Sequence, residues 1–262
     1  MNILVCIKQV PSTSNVEIDQ ETGILKRDGI ESKMNPYDLN AIETALRIRE
    51  KLGGEITVVT MGPPQAAAVI KEAYMLGVDK GYVFSDKRFA GADVLATSYT
   101  LFQGIETLGK FKLFLCGKQT TDGDTAQVGP ALAEHLGIPH VTWVRTIEEI
   151  TEEKIVVEQD LADSYEMVEL GYPCLITIEK GDLQPRLPSY KKKLETAGRP
   201  IKILGLDDFV DQDEKKYGLS GSPTRVERIF PPETSGDRIL WEDEPENLAE
   251  NMYEVLREKR VL

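Results

Sequence analysis

The residues of this 262-residue chain best placed for chemistry form one stretch, Gly117-Lys118-Gln119-Thr120-Thr121-Asp122-Gly123-Asp124-Thr125-Ala126-Gln127. An apolar run at 111–116 precedes it, and a helical pattern over 125–136 follows. Gly117 leaves the strand and Gly123 permits a tight turn, while Asp124 stands where an N-cap would accept from the helix. The free N–H groups of a first helical turn, with the macrodipole, make an anion site. Gln119, Thr120 and Thr121 offer amide and hydroxyl groups, and Thr125 and Gln127 add neutral hydrogen bonds to a phosphate. Asp122 and Asp124 repel a phosphate and suit capping or a ribose hydroxyl. A phosphate site and a plain capped surface helix both satisfy this pattern.

Three other strand-to-helix junctions carry small or hydrogen-bonding residues. Asn35-Pro36-Tyr37-Asp38 places an amide, a ring and a carboxylate at a helix start; by itself it fits a capped helix with a packed Tyr more readily than a ligand site. Met61-Gly62-Pro63 allows close ligand approach at Gly62. Phe89-Ala90-Gly91-Ala92-Asp93 leads into a helix with Thr97 one turn on. Ligands of open parallel sheets bind outside the carboxyl ends of the strands, so four such junctions on one edge reinforce each other. The chain has no GxGxxG, GxxxxGK[ST] or GxSxG motif. His135 and His140 flank one helix end without an obvious carboxylate or thiol partner. No nucleophile-plus-base set stands out, so catalysis by this chain alone is not expected.

The elements that must position these residues follow from the hydrophobic pattern. Apolar runs at 3–10, 55–61, 81–84 and 111–116 alternate with helical stretches at 36–52, 64–76, 92–108 and 125–136, punctuated by Gly53-Gly54, Gly77, Gly109 and Gly137. This alternation predicts an α/β fold, a mostly parallel sheet flanked by helices, Rossmann-like and suited to adenine nucleotides. Residues 16–27 read as a hairpin. After Pro139 the texture changes to shorter β segments at 141–146, 154–159 and 167–170, then a buried strand at 174–178. From about Lys191 the periodicity fades and prolines and acidic runs interrupt the chain. Such a tail is either disordered or lies on another surface.

Composition limits the partners. Hydrophobic residues make up 41% and charged residues 29%, as in ordinary soluble domains. A net charge of −13 disfavours nucleic acid and anionic membrane surfaces. No run approaches the ~20 apolar residues of a membrane span. The opening residues read as a first strand rather than a signal peptide, so a cytoplasmic location is expected. Cys6, Cys116 and Cys174 are widely spaced within apolar runs and read as buried, unpaired thiols.

Read together, these motifs resemble the beta subunit of electron transfer flavoproteins. The resemblance runs from Val5-Cys6-Ile7-Lys8-Gln9-Val10-Pro11 through Asn35-Pro36-Tyr37-Asp38, Met61-Gly62-Pro63 and Gly91-Ala92-Asp93. Its most specific part is Gly117-Lys118-Gln119, Asp122-Gly123-Asp124 and Gln127-Val128-Gly129-Pro130. It implies a heterodimer with an alpha subunit that carries a redox-active FAD. The beta site then holds either AMP or, in electron-bifurcating members of anaerobes, a second FAD. Asp38 and Gly91-Ala92-Asp93 resemble the bifurcating members, which implies FAD with AMP as the alternative. The implied nucleotide contacts are Cys6, Asn35, Pro36, Tyr37, Asp38, Met61, Gly62, Asp93, Thr97, Gln119, Thr120, Asp122, Gly123, Asp124, Thr125, Ala126, Gln127, Val128, Gly129, Pro130 and Ala133.

The resemblance also implies a nucleotide-binding domain over residues 1–194 and a C-terminal arm, 195–262, lying on the alpha subunit. A partner-recognition loop near 183–194 would use Arg186, Leu187 and Tyr190. Two departures stand out. Residues 158–164 lack the glycines usual in the family, and Tyr190 replaces an anchoring leucine that enters acyl-CoA dehydrogenases. A bulkier anchor with a polar tip fits a different pocket, so the implied partner is a flavin dehydrogenase of the 2-hydroxyacid (lactate) or acyl-CoA type. NADH and ferredoxin are the implied donor and low-potential acceptor. The competing readings are a standalone ATP-binding α/β protein, which would need a phosphate loop lysine or histidine pair, and a ligand-sensing module, which would need a glycine-rich phosphate motif.

Overall fold

Val-, Ile- and Leu-rich runs buried on both sides form the centre of one sheet in this computed structural model, which describes residues 1–12, 32–181, 183–225 and 240–261. In chain order the elements are β1 (Asn2–Cys6), β2 (Gln9–Pro11), β3 (Ser32–Met34), α1 (Pro36–Leu52), β4 (Glu55–Met61), α2 (Ala67–Leu76), β5 (Lys80–Phe84), α3 (Val94–Glu106), β6 (Leu113–Gly117) and α4 (Val128–Leu136). There follow β7 (His140–Ile150), β8 (Lys154–Asp160), β9 (Tyr165–Gly171), β10 (Cys174–Ile178), α5 (Tyr190–Glu195), β11 (Lys202–Leu204) and α6 (Pro245–Glu258). Nine strands run in the order β11-β5-β4-β1-β6-β10-β7-β8-β9. Pairing is parallel from β11 to β7, and β7, β8 and β9 form an antiparallel extension. β2 and β3 pair separately. The hairpin expected at 16–27 lies outside the described residues.

Alternate residues of each central strand face opposite helical layers. Ile3 and Val5 join α1 and α2 in one buried cluster, while Leu4, Val59 and Phe114 join α3 and α4 in the other. Gly77 and Gly137 close α2 and α4 in the left-handed conformation that glycine adopts without a Cβ penalty. From β1 the chain moves outward through β4 and β5, then returns to place β6 on the opposite side of β1. The carboxyl ends of β1 and β6 therefore flank the switch point, where a crevice opens in such sheets.

Two expected helices are shorter than their patterns. The stretch at 92–108 forms α3 from Val94, with Asp93 capping it, and the stretch at 125–136 forms α4 only from Val128. A larger correction concerns the boundary expected at residue 194. Residues Met1–Glu227 form one compact unit and Arg228–Leu262 another. β11 extends the sheet beside β5, and Leu206, Phe209 and Tyr217 are buried in the core cluster of α3. Phe209 stacks on Phe89 with ring centroids 5.5 Å apart, and Tyr99 donates to Asp211 at 2.5 Å. Burying three large side chains, at about 1.5–3 kcal/mol for each Leu or Phe, holds a segment whose sequence has no helical or strand period. In the second unit α6 is amphipathic, with no residue buried.

Candidate functional site

At the switch point the start of α1 braces both flanking strand ends. Asn35 precedes Pro36, a pairing that suits a helix N-terminus, yet its side chain does not cap α1. Its amide instead donates to Gln119 O at 2.8 Å and its Oδ1 accepts from Thr121 N at 3.3 Å. Asn35 is fully buried, so it holds the 117–127 loop through that loop's backbone. Asp38, one turn on, accepts from Lys8 N at 2.7 Å. Gly117 passes so close that a Cβ there would lie 2.4 Å from Asp38 Oδ1 and 2.7 Å from Tyr37 Cβ. Pro36, Tyr37 and Thr121 line a cavity of about 530 Å³ together with Lys180, Gln184 and Pro185.

Asp38 is 4% exposed. Burial pushes its carboxyl up to about 7, against hydrogen bonds from Asn35, Lys8 and Gly117 that pull it down. Its folded value thus lies above the unfolded one, about 3.9. The protonated, folded form is favoured below pH ~4, and that stability is lost as pH rises toward 7. Urea unfolding should therefore show a loss of about 1 kcal/mol between pH 6 and 7.5. The Asp38→Asn variant should lack that slope; an unchanged slope would assign the titration to another group.

The loop itself departs from the simple capped helix. Asp124 has φ +53, tolerable for Asp, and its carboxylate accepts from Gln119 Nε2 at 2.5 Å rather than from the helix. The turn is made at Asp124 and Ala126 (φ +55), not at Gly123. Gln127 is the N-cap residue, in the right-handed region, and no side chain caps α4. A positive-φ Ala126 followed by a right-handed Gln127 is the backbone pattern of an anion nest, and it stands at the positive end of a nine-residue helix. Thr120, Asp122 and Thr125 lie on this open loop. Gly129 packs α4 onto the sheet, where a Cβ would meet Thr177 Cγ2 at 2.7 Å.

Two lysines meet this loop, Lys8 from β1's end and Lys118 within it, both with acidic partners. Lys8 Nζ bonds both oxygens of Asp122 at 2.7 Å. Lys118 Nζ pairs with Glu179 and sits 4.4 Å from the centroid of the Trp143 ring. Trp143 has φ +56, a conformation costing of order 1–3 kcal/mol for a non-glycine residue. It lies where the β7–β10 register shifts, and its N–H donates to Thr177 Oγ1 at 2.9 Å. Lys8, Lys118, Trp143 and Glu179 stand outside the expected contact set. Strained backbone at Trp143 leaves no mark in the sequence.

The remaining expected contacts divide. Cys6 and Cys116 are register partners on β1 and β6, and Cys6 is raised by its hydrogen bond with Cys116 and by burial, which keeps the thiol protonated. Met61 ends β4 and Gly62 follows it, with Gly62 N donating to Phe84 O at 3.1 Å. Val128 and Pro130 are half-buried at the start of α4, while Ala133 is fully buried in the core beneath it. Asp93 is occupied elsewhere: its carboxylate accepts from Ala96 N and Thr224 N, both at 3.0 Å, and its N–H donates to Ser222 Oγ at 2.8 Å. Thr97 N bonds Asp93 O. Among the described residues neither Asp93 nor Thr97 bonds the 117–127 loop.

The loop before α5 is fastened at Arg186. Its guanidinium donates to Glu43 at 2.7 and 3.1 Å and to Glu50 at 2.9 Å, and its backbone N–H donates to Glu43 at 3.1 Å. This arginine is an anchor whose charge is met within the chain. Leu187 and Tyr190 project from it, 86% and 72% exposed.

Comparison with known proteins adds a family. The electron transfer flavoprotein domain matches residues 22–207. The chain is 44% identical over 263 residues to an electron transfer flavoprotein subunit beta of Thermoanaerobacterium thermosaccharolyticum, covering all of both chains. It is 41% identical, again over all of both, to subunit CarD of the caffeyl-CoA reductase-Etf complex of Acetobacterium woodii. An acryloyl-CoA reductase electron transfer subunit gamma of Anaerotignum propionicum is 35% identical across its full length. Among the described residues no helix is long and apolar enough to cross a membrane.

Proposed function

The chain belongs to the electron transfer flavoprotein family, and from that premise we propose that it is the beta subunit of an electron-bifurcating heterodimer, holding FAD at the β1–β6 switch point. The observation that carries the reading is the uncapped start of α4 with the Ala126–Gln127 nest, at the end of the loop that Asn35 fastens at Gln119 and Thr121. These groups fit the phosphates of an adenine nucleotide. Peptide N–H groups offer partial positive charge without a counter-ion, and the exposed hydroxyl of Thr125 can meet a diphosphate. A bound FAD would supply acceptance of an electron pair from NADH and its division between a high-potential and a low-potential acceptor, such as ferredoxin.

The chain's own residues position and insulate. Asn35 sets the loop backbone, Lys8 holds Asp122 back from the phosphates, and Cys6, whose thiol stays protonated, ends β1 on the apolar side of the crevice. In this reading residues 228–262 lie on the alpha subunit, and Leu187 and Tyr190 meet a flavin dehydrogenase. The two relatives named for CoA-ester reductases support an acyl-CoA-type enzyme, and Tyr190 in the anchoring position supports a pocket unlike the usual one, as in a 2-hydroxyacid dehydrogenase. AMP at the same site is the competing occupant, because the nest reads phosphate and not flavin. Denaturing the purified heterodimer and counting released nucleotides separates the two. Two FAD per dimer is expected; one FAD and one AMP would sink the bifurcating reading.

A further inference from the structure

We propose that Lys118 is the phosphate counter-charge of this nucleotide site, held in reserve by Glu179 and Trp143 until the ligand arrives. The inference rests on the nucleotide reading above and adds to it a binding residue and an ion-pair exchange. Lys118 begins the loop that ends in the nest, and its side chain is only 22% exposed. A chain of contacts places it beside α4: Gly129 in the first turn of α4 lies against Thr177, Thr177 accepts the Trp143 N–H, and the Trp143 ring carries the Lys118 ammonium at 4.4 Å. The bulge and left-handed backbone that aim Trp143 are the kind of local strain that a fold maintains next to a functional site.

The acid side of the pair is built for release. Glu179 uses one carboxylate oxygen for Lys118 and the other for its neighbour's N–H, accepting from Lys180 N at 2.9 Å. It keeps that bond when the ammonium leaves. The indole face offers the ammonium an attraction without a formal charge, so the lysine is held near the nest without a second carboxylate to be displaced. A lysine suits the exchange, because its single charge sits on a flexible four-carbon stem. With Lys8 closed onto Asp122, Lys8 and Lys118 each have an acidic partner before ligand binds. A phosphate then competes with Glu179 for Lys118.

A plain staple between the ends of β6 and β10 makes the opposite prediction for Glu179. The test titrates nucleotide-free heterodimer with AMP, FAD and adenosine by calorimetry. Lys118→Met should weaken AMP and FAD about tenfold, the scale of one charge-assisted contact, and leave adenosine unchanged. Lys118→Arg should recover most of that loss. Glu179→Gln should tighten AMP and FAD several-fold by freeing the lysine. Adenosine binding and the melting curve show whether each variant is folded. Equal weakening by Glu179→Gln and Lys118→Met, or no change in either, overturns the exchange while the nucleotide site stands. If the unaltered heterodimer binds neither AMP nor FAD, the nucleotide reading fails and the exchange with it.

Discussion

Arg186→Ala should destabilise the chain by roughly 3 kcal/mol, the low end of the range for breaking a buried ion pair. Glu43 is 4% exposed on its side chain, and three of its hydrogen bonds come from Arg186. The variant leaves that carboxylate buried with Arg47 Nε at 3.0 Å as its remaining cation. Arg47 and the surface position of the loop keep the cost from the upper end. Burial alone would push Glu43 up, but the hydrogen bonds from Arg186 and Arg47 prevail and hold it below the ordinary carboxylate value. Its contribution is thus present above the unfolded value, about 4.3, and is lost as pH falls through the depressed folded one. Urea unfolding at pH 7 and at pH 4 checks both parts. The variant should be weaker at pH 7 and lose less on acidification. Glu43→Gln paired with Arg186→Met should recover part of the loss, because it removes both charges together. In contrast, Tyr190→Ala, at an exposed position, should leave unfolding within ~0.5 kcal/mol and alter only transfer to a dehydrogenase. A stable Arg186→Ala chain would show that the loop does not depend on its latch.

How much of this was legible in the sequence depends on the range over which each residue acts. The parallel core was readable, because Ile3–Val5, Ile56–Val59 and Leu113–Cys116 are short apolar runs between helices that Gly77 and Gly137 end in the expected conformation. Local rules misassigned residues whose partners are distant. Asn35 has the type and place of an N-cap, but its amide binds Gln119, 84 residues away. Asp124 also looks like a cap, yet the helix starts at Val128 because Asp124 and Ala126 take positive φ. Without a Gly at either position, composition offers no sign of that turn. The segment holding Leu206, Phe209 and Tyr217 has no period, since its large side chains insert singly between turns. It therefore reads as a tail. Arg186 was legible as a residue of consequence, but the sequence does not reveal that Glu43 and Glu50 absorb its charge.

Gly117→Ala is expected to cost about 3 kcal/mol, the upper part of the overpacking range, and to empty the proposed nucleotide site. The cost is steric and owes nothing to left-handed backbone, since Gly117 has no positive φ. An added Cβ would lie 2.4 Å from Asp38 Oδ1, 2.7 Å from Tyr37 Cβ and 2.8 Å from Tyr37 C. Two of these atoms belong to the backbone or the base of a side chain at the start of α1, and the third to a buried carboxylate fixed by Lys8 N. None is the free end of a flexible chain. Relief requires β6 and α1 to separate at the switch point, which draws Asn35 from Gln119 and Thr121 and releases the loop before its nest. The same insertion at Gly123 is a control within the loop. There a Cβ meets only Thr120 Oγ1 at 3.4 Å, so Gly123→Ala should leave stability within ~0.5 kcal/mol. Melting curves and the nucleotide content of the purified heterodimer test the pair. A Gly117→Ala protein that retains nucleotide at the native ratio would mean that the contact between the β6 end and α1 does not set the site.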